Sequence, residues 1–311
     1  RNGPSMKSNV FLVDAVIVVY WLFTLVLQLA FAGHIVGAGE PLAGLLLLDI
    51  AMIGVVAGVV GLSQSRPFKE RVLWRLPVVI AAIYAGFASV GAYIRQVNPN
   101  DMEAQLIWFD KLLMGATFGE WVEPHQVTWV TDVLQRFYSG YYFLPLILFV
   151  VLFRKGREVE ALHMTTAIAV AFFTSYVFYL LVPARSPYVI AESLDAGHLV
   201  SFSGPLDGSS ITVWLRHALH TAEANKRDCF PSGHTYISLV VLFSAWRYQR
   251  KIFLPYLFVI SGLILGTLYL RYHYVIDLVV GALLAWLVMK SIPDWNRKWL
   301  ARSGEPVVES K

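Results

Sequence analysis

Two histidines, an aspartate and two arginines stand where long apolar stretches of this chain begin or end. In Phe230-Pro231-Ser232-Gly233-His234-Thr235, the proline suits the first turn of a helix, and Gly233 lets a ligand approach the backbone closely. Free N–H groups at a helix start bind anions, phosphate above all, and His234 sits one residue into that start. In Arg271-Tyr272-His273-Tyr274-Val275-Ile276-Asp277, His273 and Asp277 are four apart and share a helix face. A carboxylate beside an imidazole fixes its tautomer and raises its basicity, which makes the ring a nucleophile or base. Asp277 also falls just inside an apolar block, where a carboxylate is expensive. In Pro183-Ala184-Arg185-Ser186-Pro187-Tyr188, Arg185 would be a bidentate phosphate clamp. Each motif has a plain reading alone: a capping turn, a structural His–Asp pair, a juxtamembrane arginine. Together they occupy three span ends on one side of a membrane, which chance would not arrange.

The elements that must hold these residues follow from composition. The chain has 311 residues, 57% of them apolar and only 15% charged, against about 25% charged in soluble domains. Mean hydropathy is +0.59. The fold class expected is all-α integral membrane. Eight stretches approach the ~20 residues a span needs: roughly 10–33, 41–62, 76–96, 138–153, 163–183, 233–247, 252–270 and 273–290. The first is too long for the core of a signal peptide and reads as a retained anchor. Residues 6–75 are read as two N-terminal spans, 76–292 as a six-helix catalytic membrane domain, and 293–311 as a cytoplasmic tail. Residues 97–137 mix Trp108, Trp121 and Trp129 with charge, which suits interfacial helices; Asp110, Lys111 and Glu120 are assigned no chemistry. Residues 184–231 carry turn signals such as Ser203-Gly204-Pro205 and Asp207-Gly208-Ser209, and a connection that long is more often functional than idle.

Arginine and lysine cluster at 66–75, 154–157, 247–251 and 290–302, which places those loops and both termini in the cytoplasm. The candidate site then faces the periplasm, cell exterior or an organelle lumen. The net charge of +4 is explained by this topology, and no nucleic-acid partner is expected. The single cysteine, Cys229, excludes an internal disulfide.

The order Arg…Pro, then Pro-Ser-Gly-His, then His-x-x-x-Asp, each at a span terminus, resembles the type 2 phosphatidic acid phosphatase superfamily over roughly residues 100–290. The resemblance implies a six-helix bundle acting on lipid phosphates in the bilayer. His273 would attack phosphorus and form a phosphohistidine, with Asp277 as its charge partner. His234 would protonate the leaving oxygen, Ser232 and Gly233 would bind phosphate, and Arg185 would be the arginine of the first motif. No metal or other cofactor is implied. The chain departs from the family pattern in three places. Residues 175–184 contain no lysine, Ser186 separates Arg185 from Pro187, and Thr267 stands where an arginine is usual, so Arg271 is read as its substitute. The arrangement around Arg271 and the two extra N-terminal spans are closer to the sphingolipid phosphotransferase branch. Hydrolysis and transfer to a lipid or polyol acceptor both stay open.

Bottom-up chemistry leads the same way. Phosphoryl transfer is mostly positioning and charge stabilisation, and an apolar slot between spans would hold acyl or prenyl chains. A transporter would carry ionisable residues near the midplane on broken helices. Here Asp14 and Asp49 lie near span ends and Glu40 in a loop. A degenerate member that binds lipid without turnover is the third reading.

Overall fold

The structure is a computed structural model and describes residues 9–192, 199–222 and 225–307. Fourteen α-helices account for most of it. The N-terminal part contains α1 (Leu12–Ala30), α2 (Ala32–Gly37), α3 (Leu42–Leu62) and α4 (Phe68–Val97). Next come α5 (Glu103–Met114), α6 (Phe118–Val122), α7 (Thr128–Ser139), α8 (Phe143–Arg154) and α9 (Glu158–Leu181). The last group is α10 (Pro187–Glu192), α11 (Ser210–Ala222), α12 (Gly233–Tyr248), α13 (Phe253–Tyr269) and α14 (Val275–Arg302). Among the described residues the only extended pairing is an isolated bridge between Ala184 and Asp228.

Seven segments are long and apolar enough to cross a membrane: α1, α3, α4, the joined α7–α8, α9, α13 with its leading turn, and α14. The chain is an all-α integral membrane protein. The remaining stretch expected as a span is α12, with 16 residues. At 1.5 Å per residue it covers about 24 Å, short of a ~30 Å hydrocarbon core. It can be short because it is an inner helix, packed against α8, α9, α13 and α14, with Gly233, Ser238, Ser244 and Ala245 buried at those contacts.

Several boundaries differ from those read in the sequence, among them the starts of α4 and α9, at Phe68 rather than 76 and at Glu158 rather than 163. The fourth span starts at Thr128 rather than near 138, because α7 packs along α13 and the Tyr269 hydroxyl accepts the Val127 N–H at 2.9 Å. The last helix runs on through Pro293 to Arg302. Its end is pinned by Asn296 donating to Thr166 Oγ1 at 3.1 Å and by the Trp299 indole donating to the Val10 carbonyl at 2.8 Å. Residues 293–302 therefore belong to the bundle. The N-terminal helices share its core too, since Trp21 on α1, Tyr176 on α9, Val240 on α12 and Ile292 on α14 lie in one buried apolar cluster.

Candidate active site

The turn from α13 to α14 positions the first histidine. The Thr267 carbonyl accepts the N–H groups of both Tyr272 (2.9 Å) and His273 (3.1 Å), closing α13. Arg271 takes a φ of 65°, the left-handed region that side chains other than glycine rarely adopt. The chain reverses there and α14 starts at Val275, whose N–H donates to both carboxylate oxygens of Asp110, at 2.9 and 3.1 Å. Two residues into that helix, Asp277 turns Oδ2 back to accept from the Tyr274 N–H at 2.9 Å and from His273 Nδ1 at 3.2 Å. Asp277 is fully buried and His273 nearly so. With Nδ1 occupied by the carboxylate, the lone pair of His273 is directed to Nε2.

The start of α12 brings the second histidine alongside. Ser232 is its N-cap, with Oγ accepting the Thr235 N–H at 3.2 Å, so Pro231 precedes the helix instead of opening it. The Ser232 N–H donates to the Asp277 carbonyl at 3.1 Å, which ties the two helix starts together. His234 stacks on Tyr138, with ring centroids 4.3 Å apart, and lies against Tyr141 at 4.4 Å. Tyr138 stacks in turn on Tyr272 at 4.4 Å. The rings of His234 and His273 are 6.0 Å apart, centroid to centroid, and His234 Nε2 has no hydrogen-bond partner among the described residues.

The two arginines expected to bind phosphate are held elsewhere. Arg185 lies at the same end of the bundle, but its guanidinium donates to Glu103 at 2.5 and 2.9 Å and faces Asp101 at 3.7 Å. Arg271 bonds Glu123 at 3.0 Å, Gln126 at 3.1 Å and the Gly204 carbonyl at 2.9 Å, and covers the Phe202 ring at 3.8 Å. Neither lines the cavity described below. Ser232 Oγ is likewise engaged in capping, while Gly233 and His234 do line it.

Other residues matter that carried no local signal. Asp110 and Glu103 act on Val275 and Arg185 across the fold. The Cys229 thiol donates to Asp277 Oδ2 at 3.1 Å and lies 3.6 Å from His273 Nδ1. Burial pushes this thiol well up, and the charge of Asp277 adds to the effect. The ligating atoms of Cys229, His273 and Asp277 all fall within 4.8 Å of one another. A soft divalent ion could use them, but they already satisfy one another by hydrogen bonds.

A cavity of about 550 Å³ reaches this cluster, within the range of ligand pockets. Its inner end is lined by His234, His273, Gly233 and Tyr272; the remainder runs between α4 and α8 over α9, past Ile83, Phe87, Phe149 and Ile168. Ile80, Tyr84 and Leu146 form its lip and are exposed on the outside of the bundle. From Tyr179 to Met164, both lining residues, α9 advances 15 positions, or about 22 Å.

A buried His–Asp pair facing a second histidine at a capped helix start is the arrangement whose residues also match a family. The sequence model of the PAP2 superfamily matches residues 105–290. The chain belongs to the PAP2 superfamily. No curated protein and no solved structure matches it. PAP2 members are phosphatases and phosphotransferases, so this protein is an enzyme of that broad class. The PAP2 match begins in α5 and ends in α14, which takes in both histidines and Asp277 and leaves α1–α4 outside.

Proposed function

We propose that this PAP2 enzyme cleaves or transfers the phosphate of a membrane lipid, through a phosphohistidine on His273 at the non-cytoplasmic surface. The observation that carries this reading is the cavity, which joins the two imidazoles to an apolar slot opening on the outside of the bundle. A lipid can lay its chain in the slot while its phosphate meets His273.

In the first step His273 Nε2 bonds to phosphorus as the bond to the leaving oxygen breaks. Asp277 balances the positive charge that develops on the ring. His234 takes up a proton with the anionic substrate and gives it to that oxygen. In the second step His234 takes a proton from water or an acceptor alcohol, whose oxygen displaces His273 from phosphorus. Backbone N–H groups at the start of α12 bind phosphate oxygens. Arg185 and Arg271, each neutralised by carboxylates, serve to fix the loop before α10 and the turn before α14.

The test is release of phosphate from a panel of purified lipid phosphates, with and without an added acceptor lipid, following both phosphate and lipid products. His273→Ala is expected to abolish turnover, and His234→Ala to slow it by about 10²–10⁴, the usual general-acid contribution. Near-normal release by His273→Ala would refute the covalent mechanism. Label passing from the donor to the acceptor lipid without free phosphate would identify a transferase.

A further inference from the structure

The cavity that holds the two histidines is also lined by donors that the fold leaves unused. The Asn225 side chain is 4% exposed. Its Oδ1 accepts the Arg227 N–H at 3.0 Å, which sets the orientation of the amide. Nδ2 is then left without a hydrogen-bond partner among the described residues. Buried amide donors are almost always paired, so an orphan in a cavity wall marks a place where a ligand completes the bonding.

The next residue supplies charge. Lys226 donates to the His220 carbonyl at 2.8 Å and to the Tyr188 hydroxyl at 3.4 Å, and no ion pair to it is found among the described residues. An ammonium has three donors, so one proton remains. The arginines around it differ: Arg185, Arg227 and Arg271 are each bound to Asp101, Glu103 or Glu123. Among the described residues Lys226 is the one lysine or arginine that lines the cavity with His234 and His273. It also lines a separate outer chamber of about 350 Å³ between α10 and α11, and so stands where the surface meets the site. The carboxylate in the same wall is Asp228, which burial pushes up to about 6, against the opposing pull of His273 and Lys226.

The position of this pair is built into α4. A Cβ placed on Gly91 would lie 3.2 Å from Asn225 Cβ, so the glycine lets the segment nest against the helix.

We propose that Asn225 and Lys226 form the cradle that grips the substrate phosphate beside His273. The lysine supplies the positive charge that the paired arginines cannot, and the amide N–H supplies a second hydrogen bond to a non-bridging oxygen. This rests on the phosphoryl-transfer reading above and names the groups that bind its anion.

The experiment measures binding of orthovanadate and inorganic phosphate to the full chain by calorimetry, beside KM and kcat on a short-chain lipid phosphate. The variants are Lys226→Met, Lys226→Arg and Asn225→Ala, with Lys111→Met as a lysine control. Lys226→Met is expected to weaken both anions and raise KM by about ten- to a hundredfold, the size of a lost charged hydrogen bond, with a smaller change in kcat. Lys226→Arg recovers most of this, Asn225→Ala costs about tenfold, and Lys111→Met changes nothing. If Lys226→Met misfolds, Asn225→Ala carries the test. Unchanged orthovanadate affinity in the folded variants overturns the cradle, as does a rise in KM with both anions still bound normally. Wild-type protein that binds orthovanadate through Lys226 but turns over no lipid phosphate would remove the enzymatic reading and leave the cradle standing.

Discussion

A carboxylate outside the cavity can still decide where a histidine inside it points. Asp110 does this by capping α14 at Val275, two residues from both His273 and Asp277. Burial pushes Asp110 up to about 6; the Val275 N–H opposes the rise and the charge of Asp277 reinforces it. A carboxylate with a higher pKa in the folded chain than in the unfolded one loses stability as it ionises. Its favourable contribution is complete below pH ~4 and is gone above about 6. Asp110→Asn keeps an acceptor but cannot ionise. Thermal melts of both proteins from pH 4.5 to 7.5 are therefore expected to shift in favour of the variant as pH rises. A difference that stays flat, or moves the other way, would refute the assignment. The sequence could not reveal this residue, because its partner is 165 positions away. His273 and Asp277 were legible because their contact spans one helical turn.

At the scale of elements, the two histidines meet because α12 and α14 approach closely near their starts. Gly281 makes that possible: a Cβ there would sit 2.9 Å from the Ser232 carbonyl oxygen, closer than real contacts allow. Gly281→Ala must push the two helices apart and strain the Ser232–Asp277 backbone bond. The expected cost is about 1–3 kcal/mol of stability, with a fall in kcat that persists at temperatures where the variant is fully folded. Normal kcat in a destabilised protein would show that the spacing of the histidines tolerates the shift. The motifs around His234 and His273 announced two helix starts. What they could not announce was the left-handed turn at Arg271, which directs that side chain to Glu123 and away from the cavity. A positive φ at a residue other than glycine has no signature in residue type.

For the molecule as a whole, one buried ion pair ties the first helices to each other and a second ties them to the segment beyond the last helix. Arg75 on α4 bonds Asp14 on α1 at 3.1 Å, and Arg71 bonds Glu305 beyond α14 at 2.6 Å; all four side chains are buried. Removing one partner strands a charge, typically at a cost of about 3–5 kcal/mol. Arg75→Met is expected to lower the melting temperature sharply in detergent, and Arg75→Met with Asp14→Leu to recover much of the loss. Failure of the double variant to recover would place the role of Arg75 in its other bonds, to Ser63 and Asn9. Hydropathy made the helical membrane class and the approximate spans legible. It could not show that the first helices, the central bundle and the end of α14 interlock, because the Arg71–Glu305 pair and the shared apolar core join residues far apart in the chain. The gap between α4 and α8 has a kinetic corollary. On the proposed lipid-phosphate reading, a site reached sideways, through the hydrocarbon, senses how crowded its two-dimensional surroundings are with substrate. Diluting a lipid phosphate with inert lipid, at constant total amount in the tube, should slow the enzyme in proportion to the fraction of substrate in the leaflet.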